Sequence, residues 1–331
     1  MMLALLSCIG TGGGGGGGLF GGGDTGSEGN GDGGNGGPSL ADVPDAIAYL
    51  NRSADGTYYG DHDVEDHASI CPDGWEHLGG GYSSVACTSN AKGIVAQLNR
   101  GTDGTWYGDL EPDERHTVCP DGWDYIGDVP YHAGCHKAGN EGVVAYLNRG
   151  VDNVWYGDLA EEDQGSVCPS GWTWLGGGYS TVACQAPAHT AVAYLNRSIE
   201  GDYYGDLPEE EQGGICPDGW DHVGGGYATV ACAKDGGGAV ASLNRSAEGV
   251  YYGDLDSDEW HTTCPGGWTY LGGAYSAVAC EAPSAGNVAQ LNRNVEGTYY
   301  GDLDAEEWHT ICPGGWEYIG GSPYVVACAD L

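Results

Sequence analysis

Apolar and polar positions alternate along the chain in short runs without a long helical period, which predicts β-strands joined by tight turns. Residues 47–52, with the sequence IAYLNR, suit a strand. Residues 54–56 then form a turn, and residues 57–59 return the chain. Ile47 and Leu50 are separated by three positions, so their side chains point to opposite faces of the strand. We therefore expect this strand to be covered on both sides.

The first hairpin has a predicted register. An Asp-Gly or Glu-Gly pair at most copies of its turn supplies the left-handed position that a three-residue hairpin needs. Arg52 then lies opposite Tyr58, and Asn51 lies opposite Tyr59. These pairs place a guanidinium beside an aromatic ring at the hairpin end.

The following segment predicts a helical turn and a second hairpin. Carboxylates at residues 256–259 fit the first turn of a short helix, where unpaired N–H groups favour negative charge. Residues 268–271 and 275–279 then read as two strands joined through glycines. One copy of the pattern therefore predicts about four short strands and one helical turn.

This pattern occurs six times, and two cysteines mark each copy. The first cysteines are spaced by 48, 49, 48, 48 and 48 residues, and the second cysteine always follows 16 residues later. We number the copies as units one to six, over residues 46–93, 94–142, 143–190, 191–238, 239–286 and 287–331. The spacing predicts six disulfides within units, although pairing between neighbouring units would show the same period. The predicted pairs are Cys71–Cys87, Cys119–Cys135, Cys168–Cys184, Cys216–Cys232, Cys264–Cys280 and Cys312–Cys328, which leaves Cys8 over.

The repeats predict an all-β fold. One 48-residue unit has too few large apolar side chains for a secure core, so neighbouring units are expected to stack. The favoured arrangement is a six-bladed propeller-like ring of four-stranded units. A linear array of small β modules is the alternative, followed by two trefoil-like domains of three repeats each.

Composition narrows the class of protein. The chain has 331 residues, of which 64 are Gly, and a formal net charge of −38. This charge excludes a nucleic-acid-binding surface, which needs Lys and Arg to neutralise phosphates. Thirteen cysteines indicate an exported protein. No run approaches the ~18 apolar residues of a membrane-spanning helix, so a membrane contact would come only through an N-terminal lipid.

The N-terminal segment carries the one family resemblance. Leu5-Leu6-Ser7-Cys8 resembles the lipobox of bacterial lipoproteins, in which the cysteine is lipidated. The resemblance implies that residues 1–8 are a lipoprotein-type signal with its lipidation site at Cys8. Residues 9–45 are mostly Gly with small polar residues and predict a flexible tether. The expected location is the bacterial cell envelope or its outer surface, or the medium after secretion.

Six of the seven arginines occupy one position of the repeat. The aspartate nine residues later is the expected partner, because a guanidinium binds a carboxylate bidentately and can stack on a ring as well. The alternative is a clamp for an anion or a carboxylated sugar. The predicted ion pairs are Arg52–Asp61, Arg100–Asp109, Arg149–Asp158, Arg197–Asp206, Arg245–Asp254 and Arg293–Asp302.

Two further residue sets suggest ligands. Aromatic rings with polar tips stack on sugars, and the candidate rings are Tyr58, Trp106, Trp155, Tyr203, Tyr251 and Tyr299. Repeated carboxylates could bind Ca²⁺ as a cofactor, although helix capping together with solubility is the favoured explanation for them. The Ca²⁺ candidates are Asp61, Asp63, Asp254, Asp256, Asp302 and Asp304.

The expected function is recognition without catalysis. Almost every polar feature recurs six times, whereas a catalytic site is a single constellation, and no Ser/His/Asp, Walker or zincin motif appears. We expect a cell-surface recognition or adhesion protein that binds glycans or another extracellular polymer multivalently. A structural spacer or envelope protein without a ligand is the alternative, and a propeller-type hydrolase ranks below both. Variation between Tyr, Gln and Ser at Tyr49 and its equivalents suggests an exposed position.

Overall fold

The computed structural model describes residues 45–81, 83–129, 131–139, 143–178, 180–187, 190–226, 228–274, 276–322 and 324–331. Structural statements below concern these residues. The proposed signal, the lipidation site Cys8 and nearly all of the tether lie outside them.

Each unit is a three-stranded antiparallel sheet in which the third strand is central. The first strands are β1 (Asp45–Leu50), the C-terminal part of β3 (Ser84–Leu98), β6 (Val144–Leu147), β9 (Thr190–Leu195), β12 (Val240–Leu243) and β15 (Asn287–Leu291). The second strands are β2 (Trp75–Gly81), β4 (Asp124–Val129), β7 (Thr173–Gly178), β10 (Asp221–Gly226), β13 (Thr269–Ala274) and β16 (Glu317–Ser322). The third strands are the N-terminal part of β3, β5 (His132–Ala138), β8 (Thr181–Gln185), β11 (Thr229–Asp235), β14 (Ala277–Glu281) and β17 (Val325–Asp330).

Two short 3₁₀ helices connect the first and second strands of each unit. The earlier helix covers the recurring Tyr-Gly-Asp at Tyr59–Asp61, Tyr107–Asp109, Tyr156–Asp158, Tyr204–Asp206, Tyr252–Asp254 and Tyr300–Asp302. The later helix covers Val64–Ile70, Arg115–Val118, Glu161–Val167, Glu209–Ile215, Trp260–Thr263 and Ala305–Ile311.

The all-β class and the six disulfide-stapled repeats are confirmed, with one correction to the predicted strand count. Arg52 pairs with Tyr58 as predicted, and the Tyr59 amide donates to the Asn51 carbonyl. The pairing stops there, because Tyr59 already begins a 3₁₀ helix. The first hairpin is thus a single bridge, and each sheet has three strands where four were expected.

The six disulfides join the predicted cysteines inside each unit, with Cα–Cα distances of 5.5–5.6 Å. In unit one, Cys87 lies in the central third strand, and Cys71 directly follows a 3₁₀ helix. The bond therefore fixes the irregular segment to the sheet. Six such bonds indicate an oxidising extracellular environment.

The hydrophobic core is divided among the interfaces between units. The two faces of the first strand are both covered, since Ile47 and Leu50 are buried in different clusters. Leu50 packs with Ile126 of unit two. Each of the six buried clusters similarly combines residues of two consecutive units. A unit therefore completes its core only with its neighbours.

The interfaces close into a ring. Two backbone hydrogen bonds join units two and three. The Asn99 amide donates to the Gly177 carbonyl at 2.9 Å, and the Gly177 amide donates to the Arg100 carbonyl at 2.8 Å. The same pair of bonds joins unit six to unit one, where Asn292 donates to Gly80 and Gly80 donates to Arg293. Unit six also buries Leu291 against side chains of unit one. The corresponding hydrogen bonds join every pair of neighbouring units in the described part of the chain, which closes the cycle.

None of the helices in the described part of the chain is long and apolar enough to cross a membrane.

Candidate functional site: the aromatic face

One end of the ring collects the candidate binding residues. The first and third strands are antiparallel, with Leu50 opposite Val85. The end of the first strand therefore lies beside the tip of the hairpin between the second and third strands. The bonds between units keep these ends on the same side. We call this end the aromatic face. It comprises residues 52–58, 100–106, 149–155, 197–203, 245–251 and 293–299 together with the described hairpin-tip residues Ser83, Tyr131, Ser180, Ala228, Ser276 and Tyr324.

Exposed apolar side chains concentrate on the aromatic face. Among the described residues, the large apolar side chains that are at least 38% exposed lie there, apart from Leu331 at the end of the chain. Those in the turns are Trp106, Val151, Val154, Trp155, Ile199, Val250 and Val295, and those at hairpin tips are Tyr131 and Tyr324. A concentration of this kind on one side of a protein is typical of an interaction surface.

Each predicted ligand-binding ring stacks on the arginine of its own unit. The guanidinium carbon lies 5.0–5.5 Å from the ring centroid in every unit. This distance fits a cation–π contact. The turn between the two residues brings them together because the backbones of Arg52 and Tyr58 pair as predicted. The rings are thus held in place by the fold.

The predicted arginine–aspartate ion pairs are wrong. Within the described residues none of the six forms, and each aspartate is exposed at the last residue of a 3₁₀ helix. The arginines instead donate elsewhere, as described next. The incorrect pairs are Arg52–Asp61, Arg100–Asp109, Arg149–Asp158, Arg197–Asp206, Arg245–Asp254 and Arg293–Asp302.

The arginines have two kinds of hydrogen-bond partner. In units one, four, five and six, the guanidinium donates to a glycine carbonyl of its own turn at 3.2–3.5 Å. In unit two, Arg100 crosses the interface and donates to Glu161 at 2.9 Å and to Gln164. In unit three, Arg149 makes the same contacts with Glu209 and Gln212. Among the six repeat arginines, and within the described residues, only these two form ion pairs with the following unit.

Several of the repeat arginines contact the same position of the following unit, four residues before its first cysteine. This position was not identified from the sequence. Where units three and four have glutamine, units five and six have tryptophan, and Trp260 lies 6.0 Å from the Arg197 guanidinium. Trp308 lies 5.9 Å from that of Arg245. The sequence could have indicated this position, because every unit has a large polar or aromatic residue there: His67, Arg115, Gln164, Gln212, Trp260 and Trp308.

The glycine run explains how the units approach so closely. Gly176 has φ +120°, and a Cβ there would lie 2.3 Å from the Arg100 carbonyl oxygen. This position must therefore be glycine, both for its backbone conformation and for its contact. The same contact recurs at Gly79, Gly127, Gly224, Gly272 and Gly320.

Unit two departs from sixfold symmetry in its core. Asp128 replaces the second glycine of the run and is 1% exposed. It pairs with Arg115 and accepts a hydrogen bond from the Tyr125 hydroxyl at 2.6 Å. Burial, followed by contact with Asp128, raises the pKa of Tyr125 and Tyr107. The Asp128 backbone joins this cluster to unit one, because its carbonyl accepts hydrogen bonds from the Asn51 and Arg52 amides.

The expected exposure of Tyr49 and its equivalents is also wrong. The Tyr49 hydroxyl accepts a hydrogen bond from the backbone amide of Gln290 in unit six at 2.7 Å. Tyr146 and Tyr194 accept the corresponding bonds from the preceding units at 2.6 and 2.7 Å. Burial raises the pKa of Tyr49 to about 12. These phenols therefore connect the units.

The carboxylates in the part of the chain that the structure describes do not cluster as metal ligands. No group of three or more His, Cys, Asp or Glu side chains in the described residues is arranged to hold a metal ion. The six proposed Ca²⁺ ligands are all exposed, and they lie in three separate units. The predicted sites at Asp61 and Asp63, Asp254 and Asp256, and Asp302 and Asp304 are therefore not supported by the geometry.

No protein-family model matches the chain, and neither do curated proteins or solved structures.

Proposed function

We propose that this protein is a non-catalytic recognition protein of the cell surface that binds an extracellular glycan through its aromatic face. The observation that carries the proposal is the set of six arginine-backed aromatic rings on one side of a closed ring.

The chemistry of this face suits sugars. The apolar C–H face of a sugar ring stacks on an aromatic ring, while neighbouring polar groups bind its hydroxyls. Exposed carboxylates such as Asp61 and Asp109 lie close in sequence to the rings. Because the six units form a closed ring, their aromatic side chains are held in fixed relative positions. A polymer that engages several of them would gain avidity from weak individual contacts.

We infer that Cys8 carries a lipid and that the glycine-rich segment holds the ring away from the envelope. We also infer that the ring is a β-propeller with six three-stranded blades. Disulfide formation in an exported protein agrees with this placement.

A polysaccharide binding screen tests the proposed function. The full chain without residues 1–8 is run in native gels containing uncharged, amino-sugar or anionic polysaccharides, with and without Ca²⁺. We expect retardation by at least one polymer, because the aromatic face offers several stacking surfaces. Absence of retardation in every gel would contradict the proposal and favour a structural spacer.

A further inference from the structure

The six rings of the aromatic face are not equally accessible. Trp106 is 44% exposed and Trp155 is 45% exposed. The tyrosines at the same position in the other four units are partly buried: Tyr58, Tyr203, Tyr251 and Tyr299. Two adjacent units therefore differ from the other four.

The difference comes from the glycine that follows each ring by two positions. A Cβ on Gly60 would lie 2.5 Å from Cε1 of the Tyr58 ring, and the three other tyrosines are placed in the same way. The tyrosine ring is thus covered by backbone. A Cβ on Gly108 or Gly157 would meet no atom within 4 Å. The indoles of Trp106 and Trp155 consequently leave this backbone uncovered and present more of their surface to solvent.

The arginines behind these two indoles also differ from the others. Arg100 is 5% exposed and Arg149 is 8% exposed. Each is fixed by a glutamate and a glutamine of the following unit. A buried guanidinium with these partners holds its indole in a defined position. Its charge is also already paired with a carboxylate, Glu161 or Glu209.

We propose that Trp106 and Trp155 are the principal stacking surfaces for the ligand and that they take an uncharged polysaccharide. This inference rests on the proposed function. Stacking favours the two rings with the largest open area, and exposed Val151 and Val154 extend the apolar surface beside Trp155. An anionic polymer finds no unpaired guanidinium at either indole and meets a chain with a net charge of −38.

Paired substitutions and a matched pair of polymers test the inference. W106A/W155A removes the two indoles, and Y203A/Y251A is the control that removes two equivalent tyrosines from adjacent units. W106Y/W155Y installs the residue that the other units carry, and this variant keeps the stacking on arginine. Hydroxyethylcellulose, xylan and galactomannan serve as uncharged probes, and carboxymethylcellulose and alginate serve as anionic probes. Melting curves check that each variant is folded.

We expect an uncharged polymer to bind the wild-type protein, and W106A/W155A to weaken that binding by about tenfold or more, which corresponds to ~1.4 kcal/mol. W106Y/W155Y and Y203A/Y251A should each weaken binding as well, but by a smaller factor, because tyrosines at this position present less open ring area than the two indoles. Equal losses in the tryptophan and tyrosine variants, or a preference for the anionic polymers, would overturn the inference while leaving glycan binding in place. Absence of binding to any polymer would overturn both proposals.

Discussion

At the scale of single residues, one position of the second strand varies between histidine and aromatic residues. His77 and His222 occupy the position that holds Tyr125, Trp174, Tyr270 and Tyr318 in the other units. Burial lowers the pKa of both histidines below the ordinary value of 6.5. His67 lowers the pKa of His77 further and Arg149 lowers that of His222, while backbone hydrogen bonds with Gly79 and Gly224 act in the opposite direction.

This burial predicts a pH-dependent contribution to stability. Because the unfolded chain binds protons more readily at these positions, the free energy of unfolding falls as pH drops below about 6.5. The variant H77Y/H222Y uses the residue of other units and removes the titration. We expect the melting temperature of the wild-type protein to fall more than that of the variant between pH 7.5 and 5.5. Parallel decreases in both proteins would show that these histidines do not titrate differently on folding.

At the scale of elements, the second strand of each unit docks through its glycine on the preceding arginine backbone. G176A introduces a methyl group 2.3 Å from the Arg100 carbonyl oxygen as well as backbone strain at φ +120°. G171A is the matched control, because Gly171 also has positive φ, at +85°, but no atom lies within 4 Å of its added Cβ.

The comparison of these variants isolates the contact between units. We expect both to lose about 1–2 kcal/mol from strain, and G176A to lose a further ~2 kcal/mol or more from overlap. Chemical denaturation measures both values. Equal destabilisation would mean that the second strand does not approach the preceding unit as described.

Local features of the fold were predictable and features that cross between units were not. The disulfides and the Arg52–Tyr58 register depend on residues close in sequence, so spacing and turn chemistry defined them. The predicted fourth strand does not form, because a 3₁₀ helix begins at Tyr59. The arginine partners were missed because Gln164 is 64 residues from Arg100, and no local pattern relates two such positions.

At the scale of the whole molecule, closure of the ring of units brings the six aromatic side chains onto one face. A linear array would leave unit one without its neighbour, so the aromatic rings would not form one face. The hydrogen bonds that close the ring are the Asn292 amide to the Gly80 carbonyl at 2.7 Å and the Gly80 amide to the Arg293 carbonyl at 2.9 Å. The equivalent bonds between units two and three involve Asn99 and Gly177.

Amide hydrogen exchange at these four residues, measured by NMR on the folded protein, tests closure most directly. In a closed ring, the amides of Gly80 and Asn292 are protected to a degree similar to those of Gly177 and Asn99, because all four are hydrogen-bonded between packed units. Protection of Gly177 and Asn99 together with near-unprotected exchange of Gly80 and Asn292 would contradict the ring.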